Sequence, residues 1–194
     1  MSTTNGLIEV EVDEAMLRAI EIKLKGLQTK APRALKNAVN ATARDAKKDL
    51  AAKAQQQYTI KKSKFKKNIK QKNATLSNTV AELKVSGQMN KLESFQTRKN
   101  SKKLGAKARG RNDRSLKELL SSKGGRAFAP TFSSGHSAIA QRQGKARLPL
   151  KTFFGPSDPE MVGSKDVYGK IEPDIQKMLY SNIQKQIDKI LGGK

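Results

Sequence analysis

Residues 7–12 (LIEVEV) alternate apolar and acidic side chains, a period of two that predicts a half-buried strand. Asp13 stands where a helix N-cap belongs, and Met16, Leu17, Ile20 and Leu24 follow at helical spacing. Gly26 and residues 29–32 interrupt this helix. Pro32 suits the first turn of the next one, where its missing N–H does no harm. That second helix is the clearest element. Ala34, Leu35, Ala38, Val39, Thr42, Ala46, Leu50 and Ala54 form one narrow face, with Arg33, Lys36, Arg44, Lys47 and Lys48 mostly off it. From 32 to 54 it would span about 35 Å, and its small residues predict close packing against a helix or a sheet. Asp45 and Asp49 are placed for i±4 pairs with neighbouring cations.

Residues 55–59 read as a turn. In 60–72, Ile60, Phe65 and Ile69 are apolar among seven lysines, which permits a short amphipathic helix. Residues 79–86 predict a strand with Ala81, Leu83 and Val85 on one face and Glu82 and Lys84 on the other. A second short strand is expected over 92–96. Residues 97–126 then form a Ser/Gly-rich basic insertion, with eleven cations against Asp113 and Glu118. Leu116, Leu119 and Leu120 hint at one helical turn there. A connection of this length is usually functional or disordered, and with so little apolar anchor it is expected to be flexible. Residues 126–132 and 136–142 fit a hairpin across 133–135, with Pro130 marking an edge or bulge. Gly155, Pro156, Ser157, Asp158 and Pro159 read as a turn. The last helix starts near 166–168. Ile171, Ile175, Met178, Leu179, Ile183, Ile187, Ile190 and Leu191 give it a continuous apolar face, and Pro173 falls early enough to be accommodated. The whole is an α+β chain, one domain over 1–194. A small antiparallel sheet packs against the long helix of the N-terminal half and the C-terminal helix, with 97–126 as a basic flexible insertion.

Composition sharpens this reading. Only 36% of the 194 residues are hydrophobic, so the core is thin and neighbouring subunits are expected to order part of the chain. The net charge of +23 favours polyanions or acidic protein faces. Membrane surfaces are a weaker fit, because the basic runs lack interleaved Trp and Leu. No stretch approaches the roughly 18 apolar residues of a span, and the opening residues lack the pattern of a signal peptide. Two sets of cations are candidates for a functional surface: Lys61, Lys62, Lys64, Lys66 and Lys67, and Arg98, Lys99, Lys102, Lys103, Lys107, Arg109, Arg111 and Arg114. Stacking aromatics are few, with only Phe65 and Phe95 near these runs, so any nucleic-acid contact would be to the backbone of duplex DNA. An acidic protein partner and a plain solvated face fit the same residues.

Catalytic chemistry finds little support. The single histidine, His136, stands beside a turn with Ser134 and Ser137 near but no orienting acid, so a local hydrogen bond is the favoured role. One His, no Cys and scattered acids argue against a metal site. Asp158 and Glu160 fit a helix start better than a cation site. The spacing of a phosphate-binding P-loop is absent. No enzyme activity and no cofactor are expected.

Four blocks stand in a definite order. The first is Arg33-Ala34-Leu35-Lys36-Asn37-Ala38-Val39-Asn40, with Arg44 and Ala46 following. The second, Tyr58-Thr59-Ile60-Lys61-Lys62, leads into the basic segment, and the third is the strand at 81–86. The last holds Arg142, Gly144, Arg147, Leu148 and Pro149, then Phe154-Gly155-Pro156-Ser157, with Pro159 and Met161 after it. In order and spacing, over roughly residues 30–190, the chain resembles the minor tail protein Z family of tailed bacteriophages. The resemblance implies a structural virion protein of tail completion, at the neck, joining the tail to the head connector. It implies a homo-oligomeric ring, six-fold order being common in necks, that meets the tail terminator, tail tube and head connector and helps to hold the DNA end. The protein would act in the virion after assembly in the host cytoplasm, and the family offers no catalytic residues to transfer. A free basic protein of nucleoid or ribosome type would explain the charge but not the 142–157 block. That block, with Arg142, Gly144, Arg147, Pro149, Phe154, Gly155, Pro156 and Ser157, is expected to be a turn at a subunit interface, its glycines supplying backbone freedom and its prolines fixing the chain.

Overall fold

The alternating segment forms strand β1 (Gly6–Val10), with Ile8 and Val10 buried and Leu7 and Glu9 turned outward. A computed structural model describes residues 6–23, 30–60, 62–98, 105–119, 125–132, 134–135 and 137–192. Asp13 caps α1 (Glu14–Lys23) as expected, its Oδ1 accepting the Met16 N–H at 2.7 Å. Leu24, Gly26 and Thr29 lie outside the described residues.

Helix α2 (Ala31–Gln57) is the axis of the fold. Every residue of the predicted narrow face is buried, and so are Ala31, Ala43 and Ala51. The face is wide because α2 is covered on two sides. One side packs on α5 (Tyr168–Leu191), the other on β1 and on strands β2 (Ile69–Lys72) and β3 (Ala81–Val85). Alanine at successive contact positions lets both neighbours come close to the α2 backbone. One polar link crosses the helix pair: the Thr42 hydroxyl donates to the Ala38 carbonyl at 2.9 Å and accepts from the Asn182 amide at 3.0 Å. The helix also runs to Gln57, so the turn expected at 55–59 is shorter than its pattern implied.

The lysine-rich stretch divides into α3 (Lys62–Asn68) and β2, and Ile60, Phe65 and Ile69 are all buried. Both β1 and β2 pair antiparallel with β3, giving the order β1-β3-β2. In β3 the predicted inward face, Ala81, Leu83 and Val85, is the buried one. The strand expected over 92–96 does not form. Instead β4 (Met89–Lys91) is followed by a 3-10 turn, Leu92–Ser94, and then β5 (Gln96–Arg98). Leu92 and Phe95 are three residues apart and both buried. A turn of helix puts such a pair on one side, whereas a strand would separate them.

The segment expected to be a loop contains a sheet of its own, β5-β6-β7, with β6 (Lys107–Arg109) and β7 (Lys117–Glu118) antiparallel. Its anchors are small: Ala106, Ala108 and Ala127 are buried. The Leu119 N–H donates to Ala106 O and the Ala127 N–H to Leu119 O, both at 3.0 Å, so Leu116 and Leu119 flank a strand rather than a helical turn. Leu120 and Lys123 lie outside the described residues. The predicted hairpin is present, with antiparallel bridges Phe128↔Ala140 and Thr131↔Ser137. Gly135 holds its turn at φ +74°, a value that favours glycine. Ser133 and His136 lie outside the described residues. Strand β8 (Ala140–Arg142) then pairs with β9 (Leu150–Thr152).

The expected turn over 155–159 is instead the end of a strand and the start of a helix. β10 (Phe154–Ser157) pairs with β4, and α4 (Asp158–Val162) begins at once. In α5, Ile171, Ile175, Leu179, Ile183 and Ile187 are buried, while Leu191 is exposed at the end. The architecture is α+β, small antiparallel sheets packed on a long helix and a C-terminal helix, as the pattern predicted.

Overfilling the α2 stripe tests this account. Ala46 has no exposed surface, so Ala46→Leu is expected to destabilise by about 1–3 kcal/mol through overpacking. Urea unfolding measures it, and parental stability in the variant would show that the seam is loosely packed.

Candidate functional site

The two basic runs meet at the C-terminal end of α2. The Thr59 N–H donates to Gly110 O at 3.0 Å, its hydroxyl donates to Arg109 O at 2.7 Å, and that hydroxyl accepts the Gln96 N–H at 2.9 Å. One side chain thus ties β5 and β6 to the start of the α3 segment. Asn112 completes the junction. Its side-chain amide donates to the carbonyls of Gln55, Gln56 and Tyr58 at 3.0, 3.0 and 3.2 Å. These are the carbonyls that the end of a helix leaves without partners. An Asn in a Gly/Arg-rich stretch reads as a turn residue, so no sequence signal marks this role.

The predicted cations separate by environment. Arg111 is committed inside the chain. Its guanidinium donates to Asp166 at 2.7 Å and Asp113 at 3.1 Å and lies 5.7 Å over the Tyr58 ring. Hydrogen bonding to Asp113 and Asp166 raises its pKa further above the ordinary arginine range, and Arg111 in turn holds the Asp113 carboxyl below its usual value. Arg109 is half-buried. Lys64 is half-buried, donates to the Ser94 hydroxyl at 3.2 Å, and lines a shallow cleft with Ile60, Ser63, Lys67 and Glu93. Lys66, Lys67, Arg98, Lys107 and Arg114 are exposed. Arg98 and Lys107 stand directly opposite each other in β5 and β6. Lys107 also stands opposite Glu118 of β7, so an acid of the chain offsets part of the repulsion between the two cations. Lys61, Lys99, Lys102 and Lys103 lie outside the described residues, as does the side chain of Lys62.

The 142–157 block has two parts. Residues 142–149, joining β8 to β9, are all exposed, with Leu148 at 67%. Arg142, Gly144, Arg147 and Pro149 belong to this tip, and the Arg142 guanidinium lies 5.8 Å over the Phe128 ring. The second part is a buried foot. Ser157 caps α4 in a reciprocal capping box with Glu160, the Ser157 N–H donating to Glu160 Oε2 at 2.6 Å. Asp158 is buried and accepts from the amides of Asn68 and Asn90, the latter at 2.8 Å. Asn90 also donates to Pro156 O at 2.8 Å. This carboxylate therefore joins the end of α3, β4 and the start of α4. Between tip and foot, Phe154 is 48% exposed and Pro156 also faces outward.

The glycines of the block work differently from the expectation. Neither Gly144 nor Gly155 has a positive φ. Gly155 is required by space: a Cβ there would lie 2.4 Å from Cε2 of Phe95. Gly144 faces nothing within 4 Å.

Among the described residues, no group of three or more His, Asp or Glu side chains is arranged to hold a metal ion, and no helix is long and apolar enough to cross a membrane. A family model described as prophage minor tail protein Z matches residues 15–192, which include both basic runs and the whole 142–157 block. No curated protein and no solved structure matches the chain.

The two glycines give a paired prediction. Gly155→Ala is expected to destabilise by about 1–3 kcal/mol, because the Phe95 ring must move. Gly144→Ala is expected to be neutral or slightly stabilising. Thermal unfolding of the two variants side by side measures the difference, and equal melting temperatures would remove the Phe95 packing argument.

Proposed function

The chain belongs to the prophage minor tail protein Z family, and from that premise we propose that it completes the head-proximal end of a phage tail and joins it to the head connector. The role is mechanical. The protein is a virion component, assembled in the host cytoplasm, that seals a joint and turns over no substrate. It acts as a homo-oligomeric ring whose neighbours are the tail terminator, the tail tube and the connector.

The observation that carries this reading is the build of the 142–157 block. Its foot is held by a buried carboxylate, two asparagine amides and a capping box. Its tip is exposed throughout and presents Arg142, Lys145, Arg147 and Leu148 to the outside. A rigid foot under a basic, partly apolar tip suits contact with another protein.

The exposed cations extend the role to the DNA end. Lys66, Lys67, Arg98, Lys107 and Arg114 contact phosphates without reading sequence, and the Arg98–Lys107 pair is the strongest candidate because it sets two exposed cations side by side. Arg111 does not take part, since its guanidinium is bound to Asp113 and Asp166.

Deleting the gene is expected to leave filled heads and separate tails, or joined particles that do not infect. Electron microscopy and plaque titre measure this, and normal titres would refute the role. For the DNA end, Arg98→Ala combined with Lys107→Ala is expected to flatten the salt dependence of duplex binding, by about 0.9 for each phosphate that is no longer neutralised. An unchanged slope assigns this pair to a protein partner.

A further inference from the structure

We propose that the two edges of the β1-β3-β2 sheet are complementary halves of one contact between copies of this chain, β1 of one copy lying alongside β2 of the next. The inference rests on the reading of the protein as a ring and supplies its interface.

The first observation is that both edges are open. Among the described residues, β1 and β2 each pair in the sheet only with β3, and no turn or loop backbone hydrogen bond reaches either strand. Open edges are sites of strand addition unless charge or cover prevents it. The second is that the edges carry opposite charge. The β1 side presents Glu9 and Glu11, which share a groove with Glu172. The β2 side presents Lys70 and Lys72, both exposed. In a chain of net charge +23, the β1 side is an acidic exception. Pairing β1 with β1, or β2 with β2, would set like charges side by side. Pairing β1 with β2 sets acid against base. The charges thus select a head-to-tail contact over a two-fold one.

The third observation concerns one row across the outer face of the sheet. Glu82 in β3 lies opposite Glu9 on one side and Lys72 on the other. Lys72 donates to Glu82 at 2.6 Å, which leaves Glu9 beside a like charge and without a cation among the described residues. An in-register neighbour brings its own Lys72 next to Glu9 and completes the row. Direction agrees as well. Because both edge strands are antiparallel to β3, β1 and β2 run parallel. A copy generated by rotation about a ring axis can therefore offer β2 in the same sense as the β1 it meets. A head-to-tail contact of this kind closes into a ring when its rotation divides a full turn, and otherwise continues as a filament.

The chain has no cysteine, so an introduced pair gives a clean test. Within one sheet, positions 9 and 72 are two strand spacings apart, about 9.5 Å. That is too far for an internal disulfide. The full chain with Glu9→Cys and Lys72→Cys is expected to form, on mild oxidation, a ladder of disulfide-linked oligomers that reductant collapses. Each single variant should form none beyond chance dimers. An oligomer by light scattering that yields no ladder overturns this interface and leaves the ring reading intact. A chain that is monomeric at every concentration and yields no ladder overturns both. Charge reversal gives an independent arm. Glu9→Lys and Lys72→Glu, each alone, should lose most of the assembled species, and mixing the two variants should restore it, since alternating copies again place acid beside base. Single variants that assemble like the parent, or a mixture that stays unassembled, would overturn the proposal.

Discussion

The structure depends on the close packing of one alanine-rich helix. α2 is buried along eleven positions because α5 covers one side and the three-stranded sheet the other. Larger side chains at Ala38, Ala43, Ala46 or Ala51 would hold those layers apart. Hydrophobic residues make up little of this chain, and the fold concentrates them at this seam: Ile171, Ile175, Leu179, Ile183 and Ile187 from α5, Ile8, Val10, Leu83 and Val85 from the sheet. Further buried apolar residues, among them Phe65, Phe95, Ile139 and Met161, extend the core beyond it, whereas the basic insertion is attached largely through polar groups.

That second kind of attachment explains how so basic a sequence holds its insertion. The β5-β6-β7 sheet offers little apolar area, and its buried anchors are alanines. It is tied instead by Thr59, by Asn112 on the open carbonyls of α2, and by Arg111 between two aspartates and a tyrosine ring. These ties use one of the cations that the sequence offers to an outer surface. Charge by itself does not separate a cation that builds the fold from one that faces a partner.

The same economy appears at the 154–162 corner. A strand ends, a helix begins, and the buried carboxylate of Asp158 sits where the first turn of α4 offers a favourable end for negative charge. Gly155 is open to the Phe95 ring, and Ser157 closes the helix. The exposed tip of 142–149 thus lies close in sequence to a corner held by buried polar groups.

Much of the fold was legible in the chain, because period and capping are local properties. β1, the Asp13 cap, α2, β3, the 126–142 hairpin and α5 all follow from spacing within a few residues. The family was legible as well, through four ordered blocks. Outcomes that depend on partners distant in sequence were not. The extra burial of Ala43 and Ala51 reflects a second layer over α2, and a sequence face cannot count layers. The 92–96 segment became a turn because Leu92 and Phe95 are buried on the same side. The sheet inside the basic insertion is held by hydrogen bonds to residues some fifty positions away. Residue types alone determined the charge, the α+β class and the cation candidates. Only the tertiary structure decided that Arg111 is internal, that Gly155 is a matter of space rather than backbone freedom, and that the sheet has one acidic and one basic edge, since each of these depends on which distant side chain arrives alongside.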